Sequence, residues 1–211
     1  MQTRTQIQNF FDRLADTWDE YNRANSEKLR SMLAVAGLPR HARILDVGCG
    51  TGILFPYLLE HCPKRVDAID LSARMAEIAQ RKNMDERIHV RHADFYDLNE
   101  GSRYDAAVIY NAYPHFLEKA LFAEKLFRLL VPGGRFILMH GSGRKKINSV
   151  HHGRDASVVS APLLTCAEEA RHLSRYFEID IRVDTDDCYI LSGLSKESAS
   201  VLHLGVLEGN A

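Results

Sequence analysis

No apolar run in this chain approaches the roughly 20 residues that a membrane-spanning helix requires. Its first residues, Met1-Gln2-Thr3-Arg4-Thr5-Gln6, lack the apolar core of a signal peptide. The expectation is therefore a cytoplasmic protein without a membrane partner. Excess charge of either sign is missing too. Lys and Arg number 27 against 28 Asp and Glu, a net charge of −1, which argues against a surface built to grip nucleic acid. Cysteine is scarce. Cys49, Cys62, Cys166 and Cys188 form no Cys-x-x-Cys pair and read as reduced, mostly buried thiols. The histidines show no His-x-x-x-His or similar spacing, so no metal is assigned. Internal repeats and low-complexity tracts are absent.

What is present is enough for one domain. A chain of 211 residues buries about 70% of its unfolded surface and needs no covalent staple. Ile7, Phe10, Phe11, Leu14, Trp18 and Tyr21 recur at spacings of three and four, predicting one amphipathic helix. A second helix is predicted over Ser26–Ala36, ended by Gly37 and Pro39. Strand-like runs then alternate with helical ones. The strands are Arg43–Val47, Arg65–Ile69, Ile88–His92, Ala106–Tyr110 and Arg135–His140; the helices are Ile53–His61, Ala73–Lys82 and Leu117–Leu130. That alternation predicts parallel strands with right-handed helical crossovers. Thr165-Cys166-Ala167-Glu168 reads as a capping box opening a further helix. Phe177–Val183 and Cys188–Leu194 are joined by only Asp184-Thr185-Asp186-Asp187, a link that permits only antiparallel pairing. The fold class is α/β, a doubly wound, mostly parallel sheet with an antiparallel strand near one edge.

Ile44-Leu45-Asp46-Val47 runs into Gly48-Cys49-Gly50-Thr51-Gly52, a buried strand ending in a glycine turn. In open α/β sheets ligands bind at the carboxyl ends of the strands. Glycine there leaves no side chain between backbone and ligand. Asp70 ends the next strand, where an acid accepts hydrogen bonds from ribose hydroxyls. The spacing is G-x-G-x-G rather than the dinucleotide fingerprint G-x-G-x-x-G. Asp46 beside the loop would repel a diphosphate and suit an ammonium or sulfonium, so a cationic nucleoside is favoured over NAD.

Leu45-Asp46-Val47-Gly48-Cys49-Gly50-Thr51-Gly52 resembles the first motif of the class I S-adenosylmethionine-dependent methyltransferases. Asp70-Leu71-Ser72 with Met75, Ala93-Asp94-Phe95, Tyr104-Asp105 through Asn111-Ala112, and Leu130-Val131-Pro132-Gly133-Gly134 resemble its later motifs in order. The resemblance runs from about Phe10 to Leu194 and leans to small-molecule members, of the ubiquinone/menaquinone-biosynthesis-like kind. It implies a Rossmann-like sheet of seven strands and S-adenosylmethionine as cofactor. Gly48, Cys49, Gly50 and Gly52 would pass under the methionine part, with Asp46 helping to hold its ammonium. Asp70 would take the ribose. Leu71, Met75, Asp94 and Phe95 would frame the adenine. Asn111 belongs to the fourth motif, and Tyr21 would cover the cofactor. Bland alternatives stand beside these, Phe95 as plain core and Tyr21 as ordinary helix packing among them.

Asn111-Ala112-Tyr113-Pro114 departs from the Asn/Asp-Pro-Pro-Tyr/Phe run of many amino-group methyltransferases of nucleic acids and proteins. A small-molecule acceptor is expected instead. The candidate catalytic residues are histidines, whose pKa of about 6.5 suits proton abstraction near neutrality. They are His115, His140 and His151, with His152 next in line. His151 to His152 belong to a segment, 141–164, rich in Arg144, Lys145, Lys146 and Arg154 but with Asp155 as its one acid. Read as a lid, it suits an anionic or metal-chelating substrate. A helix over Lys145–His152 would turn His151 inward and Lys145 and Lys146 outward. The expected organisation is a helical cap at 1–40, a core at 41–195 holding the lid at 141–164, and a tail at 196–211. A homodimer is left open. Two alternatives to methyl transfer are a non-catalytic S-adenosylmethionine sensor and a metal- or corrinoid-linked methyltransferase using the histidine lid.

Overall fold

The computed structural model describes residues 4–23, 25–101, 103–151 and 159–197. Seven strands form one sheet in the order β3-β2-β1-β4-β5-β7-β6. They are β1 (Arg43–Val47), β2 (Arg65–Asp70), β3 (Ile88–His92), β4 (Tyr104–Tyr110), β5 (Leu130–His140), β6 (Phe177–Asp184) and β7 (Tyr189–Ser195). Strands β1 to β5 pair in parallel, whereas β7 runs antiparallel to both β5 and β6. The one reversed strand therefore lies next to the edge, as the short 184–187 link requires. The Rossmann-like, doubly wound sheet is the architecture expected from the sequence.

Side chains alternate across the central strands, and each face carries its own core. Leu45, Val47, Ala107, Ile109 and Leu138 pack with α6 (Lys119–Leu129) and α8 (Cys166–Leu173). Ile44, Ala106, Val108 and Ile137 pack with α3 (Ser26–Val35), α4 (Phe55–Leu59) and α5 (Ala73–Lys82). Local signals agree with this framework. The Ser72 hydroxyl accepts from the Met75 amide at 3.0 Å and caps α5. Thr165 and Glu168 close the capping box of α8.

Two elements differ from the sequence reading. The first helix is not continuous: α1 (Arg4–Leu14) tightens into a single 3-10 turn at Ala15–Thr17, and α2 (Trp18–Tyr21) follows. The Pro132-Gly133-Gly134 turn does not precede the fifth strand but lies inside β5. There the register with β4 shifts between Tyr104 and Ala106. Gly133 has φ 72°, and a Cβ on Gly134 would stand 2.8 Å from the Val131 carbonyl oxygen, so this bulge depends on glycine. Helix α7 (Arg144–His151) follows β5. The side chain of His151, along with His152, Arg154, Asp155 and nearly all of the 196–211 tail, lies outside the described residues. Among the described residues no helix is long and apolar enough to cross a membrane.

Candidate functional site

The carboxyl ends of β1 to β5 meet at one rim, and two cavities open there. The first, about 130 Å³, is floored by Gly48, Cys49 and Gly50. These follow β1 directly, and Gly48 and Gly50 adopt φ of 69° and 56°. A Cβ on Gly48 would stand 2.7 Å from that of Ala112, so the loop approaches the end of β4 as closely as glycine allows. Asp70 closes β2 and faces this cavity. The amide of Gly50 donates to its Oδ2 at 2.8 Å and that of Ser72 to its Oδ1 at 2.8 Å. Burial pushes its pKa up to about 6, against the pull of the two amides. Each oxygen keeps a further acceptor lone pair for a ligand hydroxyl.

The opposite wall comes from β2, α5 and β3. Leu71, Met75, Ala93 and Phe95 give it an apolar face, and Asp94 stands at its end. The Asp94 carboxylate accepts from the Tyr96 amide at 2.9 Å and pairs with Arg4 at 3.0 Å. Arg4 in turn lies over the Tyr96 ring. The lid of the cavity is the N-terminal segment, through Ile7, Phe11, Trp18 and Asn22.

Nine of the twelve residues proposed for a cofactor line this space: Gly48, Cys49, Gly50, Asp70, Leu71, Met75, Asp94, Phe95 and Asn111. Three do not. Tyr21 is 81% exposed, because the 3-10 turn at Ala15–Thr17 resets the helical phase and presents Trp18 and Asn22 instead. Gly52 packs elsewhere: its missing Cβ makes room for the Phe55 ring, which would lie 2.5 Å away. Asp46 points to the α3–α4 side of β1 with Ile44, behind the loop. It is fully buried, and neither carboxylate oxygen has a hydrogen-bond partner among the described residues. Burial, reinforced by the charge of nearby Asp70, raises its pKa to about 8.

The second cavity, about 260 Å³, adjoins the first. Phe11, Trp18, Asn22, Asn111 and His115 line both. Asn111 sits at the end of β4 with φ 53°, a conformation asparagine tolerates. Its amide donates to the Met139 carbonyl at 3.0 Å, and its Oδ1 accepts from the Gly141 amide at 3.1 Å. These bonds tie the ends of β4 and β5 together. His115 ends a 3-10 turn, Tyr113–His115, and its Nδ1 lies 2.9 Å from the Val159 carbonyl oxygen. Donation from Nδ1 to that carbonyl puts the basic lone pair on Nε2. The same turn is braced from behind. Tyr113 Oη donates to Glu169 at 2.8 Å, and Lys119 Nζ donates to the Tyr113 carbonyl at 2.7 Å. Burial pushes the Lys119 pKa down to about 8, against the attraction of Glu169.

His140, buried at the end of β5, Ser142 and Ile147 also line the second cavity, and the exposed Lys146 and Val150 stand at its mouth. Lys146 is exposed, as expected, one helical turn before Val150. Among the described residues no group of three His, Cys, Asp or Glu is placed to hold a metal. His115 and His140 share the second cavity, and the side chain of His151 is not among those described. Sequence reasoning missed the cap residues Arg4, Phe11, Trp18 and Asn22. Phe11 and Trp18 stood in the apolar pattern of the sequence, but which side chains face the cavity is set by the 3-10 turn at Ala15–Thr17.

Comparison with known proteins agrees with this geometry. Residues 44–134 match a family model described as a methyltransferase domain. A malonyl-[acyl-carrier protein] O-methyltransferase of Priestia megaterium is 28% identical over 131 residues, covering 60% of this chain and 48% of its own. An S-adenosyl-L-methionine-dependent Diels-Alderase of Talaromyces variabilis is 36% identical over 129 residues, covering 57% and 42%. The chain thus spans a little under half the length of these curated relatives. The N-methyltransferase NodS of Bradyrhizobium japonicum, solved with S-adenosyl-L-homocysteine, shares the fold. Its TM-score is 0.68 at 18% identity, with 93% of this chain and 100% of that one covered.

Proposed function

Residues 44–134 matching a methyltransferase-domain model, we propose that the chain is of the class I type and moves a methyl group from S-adenosylmethionine to a small-molecule acceptor. The observation that carries this reading is the shared wall. The first cavity, lined by Gly48–Gly50 and Asp70, and the second meet across Phe11, Trp18, Asn22, Asn111 and His115. A donor in one and an acceptor in the other would face each other there.

The residues suit the donor. Asp70 offers acceptor lone pairs for ribose hydroxyls, and Leu71, Met75 and Phe95 offer an apolar slot for a base. Buried, unbonded Asp46 holds a proton near neutral pH behind Gly48–Gly50 and would give it up to face an ammonium bound through or beside the loop. The bound cofactor supplies a methyl group on a positively charged sulfur, already activated for in-line displacement. The protein's task is then positioning, which contributes roughly 7–11 kcal/mol when reacting atoms are well aligned. Asn111 fixes the ends of β4 and β5, and the cap excludes water from the junction.

His115 is the proposed general base. Its Nε2 would accept the acceptor's proton as the acceptor's lone pair attacks the methyl carbon and the carbon–sulfur electron pair leaves with sulfur. A base in that position contributes about 10²–10⁴-fold for a nucleophile that carries a proton. His140 is proposed as a second polar contact to the acceptor. In this reading 1–40 acts as the cap, 41–195 as the core and 141–164 as the lid.

The test is turnover against a panel of hydroxyl, amine, thiol and carboxylate acceptors, following methylated product and S-adenosylhomocysteine together. Equimolar formation of both is expected, with His115→Ala lowering kcat about 10²–10⁴-fold for protic acceptors, far more than it weakens cofactor binding. Tight cofactor binding with no turnover on any acceptor would favour the sensor instead.

A further inference from the structure

Helix α7 carries three consecutive cations with different fates. Arg144 pairs with Asp184 at 3.3 Å, and Lys145 reaches Asp186 at 3.7 Å. Asp184 ends β6 and Asp186 lies in the β6–β7 connection, which also holds the start of the helix, the Gly143 amide donating to the Asp186 carbonyl at 3.2 Å. Lys146 turns the other way. It lines the second cavity, and no acid pairs with it among the described residues.

The cavity it joins is one-sided in its chemistry. Phe10, Leu14, Ile147 and Val150 give an apolar lining, while Leu14 and Val150 stay partly exposed at the mouth. No Asp or Glu lines it among the described residues, whereas Asp70 and Asp94 both line the first. A positively charged acceptor would meet Lys146 with no carboxylate to offset it. A neutral polar one would gain no charge-assisted contact from the ammonium, which stands exposed at the cavity mouth. An anionic group on an apolar body satisfies both the lysine and the lining.

We propose that the second cavity selects acceptors built as an apolar body bearing one anionic group, and that Lys146 is the residue that recognises the anion. This rests on the methyl-transfer reading for the word acceptor, but the binding preference itself does not. The anion is a recognition element, whichever atom receives the methyl group.

Calorimetric titration of the chain with octanoate, octanol and octylamine, each with and without saturating S-adenosylhomocysteine, separates the possibilities. Octanoate is expected to bind roughly tenfold tighter than octanol, the scale of one charge-assisted contact. Octylamine is expected to bind most weakly. Lys146→Met should abolish the octanoate preference and keep octanol binding, while Lys145→Met, altering a cation already paired with Asp186, should change neither. Equal affinity for octanoate and octanol, a preference that survives Lys146→Met, or no saturable octanoate binding at millimolar concentration overturns the proposal. S-adenosylhomocysteine affinity, read in the same titrations, tests the cofactor reading separately. If it fails to bind while the Lys146-dependent preference persists, the methyl-transfer reading falls and the anion site stands.

Discussion

Asp46 is the residue whose state is most out of the ordinary. Its folded pKa of about 8 exceeds the ordinary carboxyl value of 3.8, so between those pH values the folded chain holds a proton that the unfolded chain has lost. Stability of the ligand-free protein therefore falls as pH rises from near 4 towards 8, and Asp70, raised to about 6, adds to the same slope at its lower end. An ammonium arriving near Asp46 reverses the preference and expels the proton. S-adenosylmethionine binding near pH 7 is thus expected to release close to one proton, measured by calorimetry in buffers of different ionisation enthalpy. Asp46→Asn should suppress that release, and binding with no proton release in the native chain would refute the role. The place of Asp70 at the cavity was legible in the sequence because strand end and glycine turn fix it locally, whereas Asp46 on the neighbouring strand faces away from the cavity. The direction of Tyr21 was not legible because it depends on a 3-10 turn, which spacing alone does not show.

Among the elements, the N-terminal segment is the one held mainly by charge. Helix α1 buries none of its residues. Asp12 accepts from the Ser72 hydroxyl at 2.5 Å and from the Arg74 amide at 3.2 Å. Asp16 pairs with Arg74 at 2.8 Å, and Asp19 binds Lys82 and, at 2.6 Å, the Thr51 hydroxyl. For Asp19, burial is outweighed by these hydrogen bonds, and its pKa stays below the usual range. Together with Arg4 on Asp94, these contacts hold the lid over the first cavity. Exposed ion pairs are screened by salt, so cofactor release is expected to quicken severalfold between low and high ionic strength. Arg74→Ala should speed it at low salt and flatten the salt dependence. Stopped-flow displacement measures both, and release insensitive to salt and to Arg74 would place the exit path elsewhere. The acids of this segment were visible in the sequence, but their partners on α5 and the glycine loop lie more than thirty positions away and emerge only from the fold.

The whole molecule was the most legible level. Strand and helix alternation, short connections and right-handed crossovers leave few topologies, and β7 beside the edge follows from a link too short for anything but an antiparallel pair. What the pattern could not supply was the relation of the two cavities, because residues from α1, α2, β4 and β5 meet there through tertiary packing. The account as a whole requires that the first cavity binds S-adenosylmethionine through Asp70. Its most direct test is a calorimetric titration of S-adenosylmethionine into the native chain and into Asp70→Ala. Saturable one-to-one binding, weakened in the variant by about 1–3 kcal/mol, is the result predicted. No saturable binding to the native chain, or equal affinity in both, would contradict it.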